Sequence, residues 1–92
     1  MIVRIATESQ YRLPDDAAAE LYDLDNEVVA AVEAEDEDRF HELFEQMLDL
    51  VRRDGQLLPD DELEESDVIL PPPDTTLAEA AHEFTGEGLI PD

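Results

Sequence analysis

The sequence predicts a single α+β domain over residues 1–92, in which an N-terminal β-hairpin packs on an antiparallel two-helix hairpin and a short C-terminal helix follows. Three observations predict this fold class. A β-branched apolar segment opens the chain, and a second short segment follows a polar loop, which indicates two strands. Two long segments then place apolar residues three and four positions apart, which is typical of amphipathic helices. A shorter segment near the C-terminus has the same spacing.

The N-terminal hairpin is predicted from residues 2–6 and 11–13, with residues 7–10 as the polar loop between its strands. Pro14 ends the second strand, because proline cannot donate a backbone hydrogen bond to a sheet. Two strands alone are marginally stable in water, so we expect the hairpin to pack against the helices.

The first helix is predicted to begin at Asp15 or Asp16, either of which can cap it, and to run to about Ala34. Its apolar stripe consists of Ala17, Leu21, Leu24, Val28, Ala31 and Val32. The opposite side is acidic, so we expect a helix that buries one face.

The second helix follows the acidic connection at residues 35–38, which also caps it, and its periodicity is the strongest in the chain. Its stripe consists of Phe40, Leu43, Phe44, Met47, Leu48 and Val51. Arg52 and Arg53 suit the negative end of a helix, and we expect Gly55 to end it in the left-handed conformation. The short link between the helices predicts an antiparallel pair.

Residues 56–67 show no clear periodicity and predict an irregular, acidic segment. Residues 68–70 form a short apolar run that can join the hairpin as a third strand at the sheet edge. The prolines at 71–73 prevent longer pairing and form a stiff extended spacer.

The third helix is predicted from a capping box formed by Thr76 and Glu79, and we expect Gly86 to end it. The apolar residues Leu89 and Ile90 follow. They can dock on the core or insert into a partner, and the sequence leaves both interpretations open.

The chain is strongly acidic, with 27 Asp and Glu residues against five basic residues, all of them arginine, and a net charge of −22. The acids are spread along the whole chain, which favours adaptation to a salty, halophilic cytoplasm over an acidic tail. A nucleic-acid mimic is the further alternative. Direct binding to nucleic acid or to anionic lipid is disfavoured, because the electrostatic interaction would be repulsive.

Cysteine is absent, which excludes disulfides and thiolate metal sites. The N-terminus shows no secretory signal, and no apolar run is long enough to span a bilayer. We therefore expect a cytoplasmic protein that does not insert into membranes.

The sequence also offers little for catalysis. Ser9 and Ser66 have no histidine near them in sequence, and the three glycines cannot form the usual phosphate loop. His41 and Glu45 are four residues apart and could share a divalent ion, but a second histidine is missing. The acidic runs lack the glycine of a calcium loop. We expect no enzyme, no cofactor and no metal site.

Several segments, in their order along the chain, resemble the PspAA family, the domain associated with phage shock protein A. These segments are Met1–Ile5, Gln10–Leu13, Leu58–Leu63, Ser66–Asp67, Leu70–Pro72 and Gly88–Pro91. One departure is at residues 6–9, where the family commonly has a glycine-flanked turn. The acidity suggests a halophilic archaeal type.

The resemblance implies a non-enzymatic accessory or adaptor protein in the envelope stress response. Its partner would be a PspA-like protein, a long helical coiled coil related to the ESCRT-III proteins that assembles on stressed membranes. We expect the interface on the exposed hairpin edge and the C-terminal tail, at Tyr11, Arg12, Leu89 and Ile90. The alternative function is an acidic regulator or DNA mimic that sequesters a basic partner.

Overall fold

The computed structural model describes residues 1–62, 64–84 and 88–90. It confirms the α+β class, with an N-terminal sheet, two long packed helices and a short third helix. The elements are β1 (Ile2–Ile5), β2 (Gln10–Arg12), α1 (Asp15–Glu33), α2 (Glu37–Asp54), β3 (Gln56–Leu57), a 3₁₀ turn (Asp60–Glu62), β4 (Val68–Leu70) and α3 (Leu77–Glu83).

The sheet has four strands in the order β3-β2-β1-β4, so the predicted hairpin forms its centre. The third strand, β4, is confirmed at the edge and runs parallel to β1, with Val68 opposite Val3. The other edge strand, β3, was predicted as irregular chain. That prediction is wrong, because Leu57 pairs with Tyr11 in an antiparallel ladder with β2.

The first helix differs from the prediction at its N-terminus. The prediction that Asp15 or Asp16 caps α1 is wrong, since Pro14 occupies the capping position and no side chain bonds there. At the other end, Glu35 adopts a left-handed φ of 55°. Bonds from the N–H groups of Glu35 to Val32 and of Asp36 to Ala31 complete a Schellman motif, which turns the chain toward α2.

Gly55 ends α2, but the predicted left-handed conformation is wrong, because its φ is −82° and its ψ is 149°. Glycine is required at this position because there is no space for a side chain. A Cβ atom at this position would lie 2.4 Å from the Val51 carbonyl oxygen and 2.9 Å from the Cβ of Tyr11. The missing side chain lets the chain leave α2 directly alongside β2 and form β3.

The core lies between one face of the sheet and the three helices. Aromatic rings contribute much of it: the Phe40 and Phe44 ring centroids are 5.5 Å apart, and the Phe44 and Phe84 centroids are 6.0 Å apart. The capping box of α3 is confirmed by bonds between Thr76 and Glu79 in both directions. Gly86 lies outside the described residues. Among the residues that are described, no helix has the length and hydropathy needed to cross a bilayer.

Candidate partner-binding surface

Two large apolar side chains of the described residues are exposed, and they lie at opposite edges of the sheet. Leu57 is 57% exposed on β3, and Ile69 is 58% exposed on β4. The sequence does not distinguish these two residues from the other leucines and isoleucines, most of which are buried in the described part of the chain. Among the described residues, the large exposed apolar side chains therefore lie on the two edge strands.

Leu57 lies beside Tyr11, a residue that the sequence analysis predicted to bind a partner. Leu57 is the cross-strand neighbour of Tyr11, so both side chains point to the same face of the sheet. Tyr11 is half-buried and packs against the core. We call Tyr11 and Leu57 the β3-edge patch.

The exposed hairpin edge predicted as an interface is covered, which corrects that expectation. β3 covers the free side of β2, and β4 covers the free side of β1. Arg12 remains exposed and forms an ion pair with Glu64. The edges open to a partner are therefore those of β3 and β4.

Gln10 fixes the irregular segment beside the sheet, a role that the sequence did not reveal. Its side-chain amide is buried at 2% exposure. Its Nε2 donates to the Glu64 carbonyl and to the Ser66 hydroxyl, each at 2.6 Å, and its Oε1 accepts from the Glu64 N–H at 3.1 Å. The Asp67 carboxylate also accepts a hydrogen bond from the Ile2 N–H, at 2.8 Å. These bonds hold the segment before β4 in place.

The C-terminal tail is anchored on a buried carboxylate of α1. Asp25 is 0% exposed and accepts the N–H groups of Leu89 and Ile90, each at 3.0 Å. Burial raises the pKa of Asp25 above its usual value, although the two backbone bonds act to lower it. Gly88 has a φ of 84°, and a Cβ there would lie 2.5 Å from Asp25 Oδ2.

The tail therefore docks on the core, one of the two interpretations that the sequence left open. Ile90 is 4% exposed, and Leu89 packs against the core while half-buried. The structure does not bring this tail together with Tyr11 and Arg12 on one element: two of the four predicted residues lie on β2, and two lie against α1. Their role in partner binding stays a prediction.

Of the residues considered for chemistry, His41 and Glu45 line the same open pocket beside α2, and Ser66 makes an ordinary side-chain hydrogen bond. His41 Nε2 is 3.7 Å from Glu37 Oε1, one turn earlier on α2. Ser66 accepts the bond from Gln10. Over the described parts of the chain, no three His, Cys, Asp or Glu side chains converge in a way that could hold a metal ion.

Comparison with known proteins gives one match. The family model PspAA, described as PspA-Associated protein, matches residues 1–92, which is the whole chain. No curated protein and no solved structure matches. The segments that resemble this family in the sequence include Gln10, Ser66, Asp67 and the tail from Gly88. These residues make the bonds that hold the segment before β4 and the C-terminal tail.

Proposed function

We propose, from the premise that this chain belongs to the PspAA family of PspA-associated proteins, that it is a non-enzymatic adaptor which binds a PspA-like coiled-coil protein. The observation that carries this proposal is the family match over all 92 residues. The family is one of accessory proteins.

The β3-edge patch supports the proposal with a surface that a helical partner could cover. Each helix of a coiled-coil protein carries an aliphatic stripe, and where another helix leaves that stripe open, Leu57 offers it an aliphatic contact beside the half-buried ring of Tyr11. Burying the exposed part of Leu57 would contribute about 1 kcal/mol. Arg12 follows Tyr11 on β2 and therefore points to the opposite face of the sheet, where its guanidinium could exchange Glu64 for a carboxylate of a partner that reaches around this edge.

The C-terminal tail supports the proposal in a different way. Leu89 is half-buried, so part of its side chain is open to a partner while Ile90 stays in the core. In this arrangement Asp25 would position the tail, and Leu89 would make the contact. Tyr11, Arg12, Leu89 and Ile90 are thus proposed partner-binding or partner-positioning residues.

The proposed setting is the cytoplasmic side of a stressed membrane, in the envelope stress response. A net charge of −22 repels the anionic headgroups of that leaflet, so we propose that the protein reaches the membrane through its partner. Its contribution would be to the assembly of that partner.

Affinity capture from the host lysate tests this proposal. The tagged domain would be used at the host's own salt concentration, and bound proteins would be identified by mass spectrometry. We expect a PspA-like coiled-coil protein in the eluate, and less of it with Leu57→Ser. The control is Ala30→Ser, which changes an exposed position on α1.

Two results would count against the adaptor function. Recovery of basic nucleic-acid-binding proteins alone would favour the acidic regulator or DNA mimic. An eluate without any PspA-like protein would mean that this chain does not bind such a protein, although it belongs to the family.

A further inference from the structure

A second surface lies at the other edge of the sheet, around Ile69. An open groove of about 210 Å³ runs between the end of β4 and α3. Its lining includes the apolar residues Ile69, Pro71 and Pro72, which we call its apolar side, and Glu79 and Glu83 of α3, which we call its acidic side. We call this the Ile69 groove.

The apolar side of the groove is rigid. Each proline fixes its own φ, so the chain after β4 has little freedom. Thr75, which is 5% exposed, closes the turn that follows: its N–H and its hydroxyl both donate to the Pro72 carbonyl, at 3.0 and 2.7 Å. A preformed surface loses little conformational entropy when it binds, so an exposed Ile69 can contribute most of its burial energy to affinity.

The acidic side of the groove favours a positively charged occupant. Glu79 and Glu83 are four residues apart and lie on the same face of α3. One oxygen of Glu79 is used in the capping box, whereas Glu83 makes no hydrogen bond or ion pair with a described residue. The described residues that line the groove include no cation, although Arg4 is the cross-strand neighbour of Ile69 and lies beside its apolar side. A second copy of this chain is disfavoured, because it carries the same charge of −22.

The backbone at this edge favours a helix over an added strand. β4 has three residues, and the prolines after it lack the N–H groups that would continue a ladder. An extended segment would therefore gain few main-chain bonds. A helix instead presents side chains from successive turns, which can reach the apolar and the acidic side together.

We propose that the Ile69 groove binds one face of a cationic amphipathic helix. Aliphatic side chains of that helix would pack on Ile69 and the prolines, and a Lys or Arg would pair with Glu83. This inference goes beyond the proposed function, because it assigns a second surface and the chemistry of its occupant without relying on the identity of any partner.

The test uses a synthetic peptide as the probe. A helix of about 18 residues made of Leu, Ala and Lys, with the leucines on one face, is long enough to be partly helical before it binds. It would be titrated into ¹⁵N-labelled full-length protein in about 1 M KCl, where the Debye length is about 3 Å and long-range attraction is screened. We expect the amide shifts to concentrate at residues 69, 79 and 83.

Two substitutions then measure the two sides of the groove. Ile69→Ser removes the apolar contact and should weaken binding about 5- to 10-fold. Glu83→Gln removes one exposed ion pair and should weaken it about 2- to 5-fold. Both positions are exposed, so the variants should keep the wild-type circular dichroism spectrum.

Matched controls separate this groove from general attraction to an acidic protein. Glu33→Gln makes the same change of net charge on α1, and Ala30→Ser changes an exposed apolar position on the same helix, outside both proposed surfaces. Neither should alter the peptide affinity by more than about 1.5-fold, as expected for substitutions outside the contact. A peptide of the same composition with its leucines dispersed should bind more weakly.

The inference is overturned if Glu33→Gln weakens binding as much as Glu83→Gln, if the shifts spread over the acidic surface, or if the dispersed peptide binds equally well. None of these results would argue against the adaptor proposal. That proposal is tested by the capture of a PspA-like protein and by the smaller amount expected with Leu57→Ser.

Discussion

Asp25 shows how one buried side chain can organise a chain terminus. Its carboxylate is 0% exposed and binds the two consecutive N–H groups of Leu89 and Ile90. Gly88 allows this approach, because any side chain there would meet the same carboxylate. The tail would otherwise carry two unpaired donors into the core, which costs about 1–3 kcal/mol for each.

The pKa of Asp25 predicts a pH dependence. Because burial raises the folded-state pKa above the ordinary value of 3.8, the contribution of this carboxyl to stability is complete below 3.8 and is lost as the pH rises through the folded-state pKa. Asp25→Asn removes the titration. We expect the free energy of unfolding of the wild type, relative to this variant, to fall as the pH rises from about 4 toward neutrality. Urea unfolding at several pH values measures the difference, and a pH-independent difference would contradict the assignment.

Gly55 predicts a result that separates space from backbone conformation. Gly55→Ala should destabilise the protein by about 1–3 kcal/mol, because its Cβ would meet the Val51 carbonyl and Tyr11. Gly55→Asn is the control, since asparagine tolerates the left-handed conformation well. If space is the reason for glycine, Asn should cost at least as much as Ala in urea unfolding. A milder effect of Asn would restore the left-handed interpretation.

Among the elements, the segment between β3 and β4 depends on side-chain bonds more than on its own regularity. It contains only a short 3₁₀ turn and the three-residue strand β4, yet Gln10 and Asp67 bind it to the sheet at named atoms. The position of Ile69 and of the groove beside it therefore depends on contacts made by β1 and β2.

Gln10→Ala tests this dependence. The substitution leaves the N–H and C=O groups of Glu64 without their partners, and we expect a loss of about 2–3 kcal/mol in the free energy of unfolding. Hydrogen exchange at the Glu64 amide should accelerate more than exchange in α2. Gln46→Ala, at an exposed position of α2, is the matched control and should change both quantities little. Equal effects of the two substitutions would show that Gln10 does not hold the segment.

The elements predicted from the sequence are those with a repeating apolar pattern. The three helices, the hairpin and β4 have it. β3 does not, since Gln56–Leu57 is two residues long and is exposed, and it exists because Gly55 brings the chain alongside β2. The exposure of Leu57 and Ile69 was equally hidden, because a pattern shows that a residue is apolar but not whether the tertiary structure covers it. The burial of Asp25 could not be predicted either, because in the sequence it looks like its acidic neighbours and its contacts come from the distant C-terminal tail.

Over the whole molecule, the acidic surface outweighs the ion pairs that could offset it. Arg12, Arg39, Arg52 and Arg53 each pair with a carboxylate among the described residues, but 27 acids face five arginines. Most carboxylates therefore repel their neighbours. Exposed pairs of this kind contribute little, so stability in dilute buffer depends on a modest core working against this repulsion.

We accordingly expect stability to increase with KCl. Between about 0.1 and 3 M salt the Debye length falls well below 10 Å, and repulsion among the carboxylates is screened. A gain of about 1 kcal/mol would raise Tm by about 4–8 °C for a domain of this size. A variant with Glu20→Gln, Asp23→Asn and Glu33→Gln, all exposed on α1, should show a shallower rise in thermal unfolding. A flat wild-type curve would remove the support for the halophilic interpretation.

Titration of the two purified proteins decides whether this chain binds a PspA-like coiled-coil protein. Calorimetry in molar KCl suppresses attraction that depends on charge alone. We predict saturable binding that is weakened by Leu57→Ser and unchanged by Ala30→Ser. Absence of binding at about 100 μM, equivalent to an affinity weaker than about 5.5 kcal/mol, would contradict the proposed adaptor function.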